Sequence, residues 1–87
     1  MAPEKENVIL GGRLTGHGRA SPCQVEAVRS AVRNSSGLVV DRLYSSFTIR
    51  GVKDDGWADG PYNLSFDGGM GGIRIAHKRG QAWSVDQ

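Results

Sequence analysis

The stretch Ser21–Gly37, SPCQVEAVRSAVRNSSG, is where the fold is decided. Ser21 can serve as an N-cap, Pro22 suits the first helical position, and Gln24 can reach back to close a capping box. Val25, Val28 and Val32 fall on one stripe at helical spacing, with Glu26, Ser30 and Arg33 on the other side. Asn34 or Gly37 supplies a stop. The pattern predicts one helix over 21–37. Its valines make a weak helix in isolation, so packing of the narrow stripe must hold it.

Strand and turn signals surround this segment. After a polar tail over 1–7, Val8-Ile9-Leu10 opens a strand that can run through Gly11-Gly12 to Leu14. On the far side, 38–52 (LVVDRLYSSFTIRGV) is the longest strand signal in the chain. Val39, Leu43, Phe47 and Ile49 occupy its odd positions and Arg42, Tyr44, Ser46, Thr48 and Arg50 its even ones, which predicts two faces of opposite character. Asn63–Asp67 and Ile73–Lys78 flank Gly68-Gly69-Met70-Gly71-Gly72 as a hairpin, and Lys78-Arg79-Gly80-Gln81 turns into a short strand over Ala82–Val85. The expected fold class is α+β, one domain over 8–87 in the order β-α-β-β-β with room for a further short strand. An antiparallel sheet of four to five strands would carry the helix across one face.

The 87 residues, 38% hydrophobic and 23% charged, suit one small domain. A chain of this size buries only about 60–65% of its unfolded surface, which favours a second copy as a cover for apolar area. The net charge of +2 permits nucleic acid without requiring it. No long apolar run occurs and the start, MAPEKENVIL, lacks a signal-peptide core, so the expected location is cytoplasmic, away from membranes. The single Cys23 excludes an internal disulfide and a cysteine-based zinc site.

Three groups of residues are candidates for contact. Trp57 in an acidic glycine loop, Arg29 and Arg33 one turn apart on the predicted helix, and Met70 at the hairpin tip suit a protein partner or a second copy. Arg42, Tyr44, Arg50, Arg74 and Lys78 would line the sheet face away from the helix, where cations and a ring suit single-stranded nucleic acid. Gly16, His17, Gly18 and Arg19 precede the predicted helix N-terminus, a place that suits an anion. They do not form a P-loop, because His17-Gly18 stands where Lys-Ser/Thr belongs, and no dinucleotide fingerprint occurs.

Metals and cofactors are not expected. Asp54-Asp55-Gly56-Trp57-Ala58-Asp59-Gly60 lacks the order of a calcium loop, and His17 and His77 belong to no ligand cluster. A helix dipole would activate Cys23, yet no nucleophile and base stand at a working spacing. The expected function is therefore a non-catalytic binding domain for a protein partner or its own homo-oligomer. Nucleic-acid binding is the alternative, and a small anionic ligand at the glycine-rich loop a further one.

Overall fold

In the computed structural model, which describes residues 4–67 and 73–86, the stretch read as a helix is a long interior strand. The elements are β1 (Lys5–Gly16), β2 (Arg19–Arg33), β3 (Val39–Val52), β4 (Gly60–Phe66), β5 (Arg74–Arg79) and β6 (Ala82–Val85). They form one antiparallel sheet in the order β3-β2-β1-β4-β5-β6, and its two edge strands, β3 and β6, come alongside each other. The α+β expectation is thus corrected to an all-β, nearly closed barrel. Among the described residues there is no helix, hence none long and apolar enough to cross a membrane.

The physical reason lies in which residues of β2 turn inward. Ser21, Cys23, Val25 and Ala27 are buried and alternate with Pro22, Gln24 and Glu26, a period of two. Three of these four inward residues are small. The visible apolar signal was therefore the valines at 25, 28 and 32, which the strand divides between its two faces. β-Branched side chains favour the pleated backbone once neighbours exist on both sides. Pro22 is tolerated because it lies beyond the last β2–β3 pair, Cys23 with Val52, where only its carbonyl is used, by Lys53 N at 3.2 Å.

The supposed helix flanks are hairpin turns. Gly16 pairs with Arg19 around His17 and Gly18, whose φ values of 53° and 74° are those of a type I′ turn. Asn34 organises the next turn, its Oδ1 accepting from Ser36 N at 2.9 Å and Leu38 N at 3.1 Å, with Gly37 at φ 82°. β1 begins at Lys5, so residues 5–7, read as tail, belong to the sheet. The later strands coincide closely with the alternation in the sequence, β3 over 39–52 and β6 over 82–85.

Leu14, Val25, Ala27, Leu64 and Ala76 are wholly buried, and Trp57, Tyr62, Phe47 and Cys23 complete the core. Full burial of each large side chain contributes about 1.5–3 kcal/mol. Gly16 permits the close approach of Tyr62, whose Cδ2 would lie 2.8 Å from an added Cβ. β3 is irregular, with register shifts against β2 at Gln24/Val25, Glu26/Val28 and Val32/Arg33, and Ser46 sits at φ 56°. The bulge exchanges faces: Tyr44 pairs with Arg29 and Phe47 is buried, whereas Leu43, expected inward, is 59% exposed.

β1 pairs with β4 only over Gly12–Thr15, so its first half, the end of β2 and the start of β3 project from the barrel as a three-stranded ribbon. The molecule is accordingly long, 49 × 20 × 19 Å.

Candidate functional site

The seam between β3 and β6 is where the sequence brings its aromatic and acidic residues together. β3 ends at Val52, and residues 53–59 cross the barrel mouth to reach β4 without forming a strand. This loop is pinned along its length. Trp57 Nε1 donates to Asp54 O at 3.0 Å, Arg19 Nη2 to Asp55 O at 2.8 Å, Tyr62 Oη to Ala58 O at 2.6 Å and Gly80 N to Asp59 Oδ1 at 3.0 Å. Lys78 Nζ donates to Trp57 O at 3.4 Å and to Gly80 O. Trp57, a loop residue, is consequently only 6% exposed.

Its ring is the hub of an aromatic cluster. Tyr62 meets it edge-on at 5.0 Å, Trp83 at 5.8 Å, and Tyr62 and Trp83 lie 5.4 Å apart. The Arg19 guanidinium lies 4.4 Å from the Trp57 ring centroid. Outside the cluster runs a groove of about 720 Å³ lined by Ile49–Val52 of β3, Asp54–Trp57 of the loop, and Lys78, Gln81 and Trp83. A second depression of about 760 Å³, lined by Asp59, Gly60 and residues of β5 and β6, shares Lys78 and Trp83.

The charged residues at the groove differ in how they are engaged. Arg50 reaches Glu26 at 3.3 Å, and Lys78 is held by the two carbonyls. Asp54 and Asp55 use only their backbone oxygens; among the described residues their carboxylates have no ion pair or hydrogen bond.

The residues singled out from sequence are spread over the molecule. Trp57 floors the groove. Arg29 and Arg33 are on the ribbon, Arg29 pairing with Glu6 and Arg33 Nε with Glu4 Oε1 at 2.8 Å, so cross-strand carboxylates answer their like charges. Glu6 and Tyr44 both hold the Arg29 guanidinium in its charged form. Met70 lies outside the described residues. Of the expected basic face, Arg42 and Tyr44 are on the ribbon, on the side of the core, while Arg50 is on the opposite side beside Glu26. Arg74 stacks 4.4 Å from the Phe47 ring and Lys78 turns to the loop, so these five do not share a surface. Gly16, His17, Gly18 and Arg19 form the tight turn, His17 stacking 4.9 Å from Tyr62, with no helix N-terminus behind them.

Cys23 is buried, and burial, with Asp67 nearby, pushes its thiol up to about 11, the reverse of the activation expected at a helix end. Among the described residues no three His, Cys, Asp or Glu side chains come together as metal ligands. Sequence reasoning missed Asp54, Asp55 and Gln81 as groove residues and took Trp83 as core alone. The signal was the tryptophan set within an acidic run just after β3.

No known family, curated protein or solved structure matches this chain.

Proposed function

We propose that this chain is a non-catalytic β-domain that binds another protein in the groove between β3 and β6. The observation that carries this reading is that two strand edges run side by side, outside the hydrogen-bonded ladder, over a floor of Trp57 and Trp83. Backbone groups alternate along a strand. Because Asp86 N bonds Ile75 O, the N–H and C=O groups of Trp83 and Val85 turn away from β5 toward the seam. An extended segment of a partner can pair with such groups while its side chains meet the tryptophans. Aromatic anchors in a partly desolvated pocket are the residues that dominate interface energies.

Selection from a random peptide library with the whole chain, followed by amide chemical-shift mapping, tests this. Selected peptides are expected to shift Ile49–Val52, Gln81–Val85 and both indole N–H signals. Absence of binders, or shifts confined to another surface, contradicts the reading.

A second reading, self-association, is favoured by the ribbon, where Ile9, Val40 and Leu43 are each more than half exposed. The residues Lys5–Leu10 of β1 also have no strand beside them on the β4 side among those described. Light scattering over a concentration series is then expected to show a dimer that Ile9→Lys/Leu43→Lys disperses. A monomer at every concentration removes this reading.

A further inference from the structure

Resting on the self-association reading, we infer that two copies join along the open edge of β1, about a two-fold axis at Asn7, with Lys5 of each copy reaching Glu26 of the other. Ala31 N donates to Glu4 O at 3.0 Å, so the even-numbered residues of β1 direct their N–H and C=O groups to β2. Those of Lys5, Asn7 and Ile9 turn the other way, where no described strand lies beside them. The open run stops there, because Asp67 N takes Gly11 O at 3.0 Å.

An edge of three open residues suits a strand that offers three in return, and a second copy offers the same three. Antiparallel pairing matches all of them in one register only: Asn7 faces the partner's Asn7, and Lys5 faces the partner's Ile9. A shift of two residues one way sets Glu6 against the partner's Glu6. The opposite shift sets Lys5 against the partner's Gly11, whose carbonyl is already taken.

The side chains favour the same register. Glu6 is answered within its own chain by Arg29 and comes to lie opposite the partner's Val8. On the outer face Glu26 pairs with Ile9, so the two-fold sets Glu26, Ile9 and the partner's Lys5 in one row across three strands. With strands about 4.8 Å apart, the partner's Lys5 stands about 10 Å from Glu26, with Ile9 between them. Its stem can lie over Ile9, 53% exposed in the single chain, while its ammonium meets the Glu26 carboxylate. Lys5 has no ion pair or hydrogen bond among the described residues, and Glu26 is met by Arg50 at one oxygen only. Within one chain the two are not neighbours, since Lys5 pairs with Ser30 and Glu26 with Ile9, four places along.

Light scattering and sedimentation of the whole chain and its variants test this. Asn7→Pro removes an N–H that β2 does not use, so the variant is expected to melt with the wild type and to dissociate the dimer at least tenfold more readily. Lys5→Glu and Glu26→Lys are each expected to weaken the dimer about tenfold, because the contact occurs twice, and Lys5→Glu/Glu26→Lys to restore it. If Asn7→Pro melts lower, a mixture of isotope-labelled and unlabelled copies decides. The register predicts an Hα–Hα contact between Glu6 of one copy and Val8 of the other, and its absence overturns the inference. A dimer that Asn7→Pro leaves intact, or charge variants whose combination restores nothing, overturns the inference and leaves self-association through another surface. A monomer at every concentration removes the self-association reading together with the inference. A library peptide that shifts Lys5–Ile9 of a monomeric chain gives the edge to a foreign strand and also overturns it.

Discussion

Ala27→Lys is expected to abolish cooperative folding at room temperature, whereas Val28→Lys, one residue on, is expected to cost only about 1 kcal/mol. Ala27 is wholly buried on β2, opposite Val8. A lysine there must bring a long stem into a close-packed interior and leave an ammonium without a partner. Overpacking costs about 1–3 kcal/mol and an unpaired buried charge several more. Against a stability of 5–15 kcal/mol for domains in general, about 5 at this size, little is left. Val28 faces the other side beside Asn7 and Ser45 and is only half-buried, so a lysine can lift its head into water. Urea titration followed by tryptophan fluorescence measures both. The helix expected from sequence demands the opposite order, since Val28 belongs to its buried stripe and Ala27 does not.

That reversal shows where the sequence was legible. Strands β3 to β6 could be read because large apolar residues, such as Phe47 and Ile49 or Trp83 and Val85, recur at every second place. β2 could not, because Ser21, Cys23 and Ala27 fill its inward positions in a narrow barrel where Gly12 already brings the strands close. The face exchange in β3 was hidden as well, since the residue at positive φ is Ser46 and not a glycine. Of the groove, Trp57 stood out as a large ring in a polar loop. The rest depends on β3 meeting β6 with β4 and β5 between them in the chain, which local pattern does not encode.

Trp57→Ala is expected to destabilise the fold by about 3–5 kcal/mol, the range for removing a buried aromatic. The loss combines edge contacts to Tyr62 and Trp83, the Arg19 stack and the cavity left at the barrel mouth. Trp57→Phe should recover most of it, leaving a deficit of about 1 kcal/mol for the missing indole bond to Asp54 O. Urea denaturation followed by circular dichroism compares the three proteins. An alanine variant within 1 kcal/mol of wild type, a threshold set at about the value of one hydrogen bond, would mean that the 53–59 loop does not close the core. The same double duty explains why Trp57 is a poor probe of binding. Its removal damages the barrel and the groove floor together, whereas Asp54 and Asp55 can be neutralised without touching the core.

The central claim is that 19–33 is a strand paired on both sides, and nuclear Overhauser contacts between α-protons test it most directly. In antiparallel sheets these protons meet across the non-hydrogen-bonded pairs. The fold predicts Hα–Hα cross-peaks between Ile9 and Glu26, Asn7 and Val28, and Arg29 and Tyr44. Sequential amide–amide contacts with Hα to amide contacts three residues ahead along 21–33, and none of those cross-strand peaks, would contradict it.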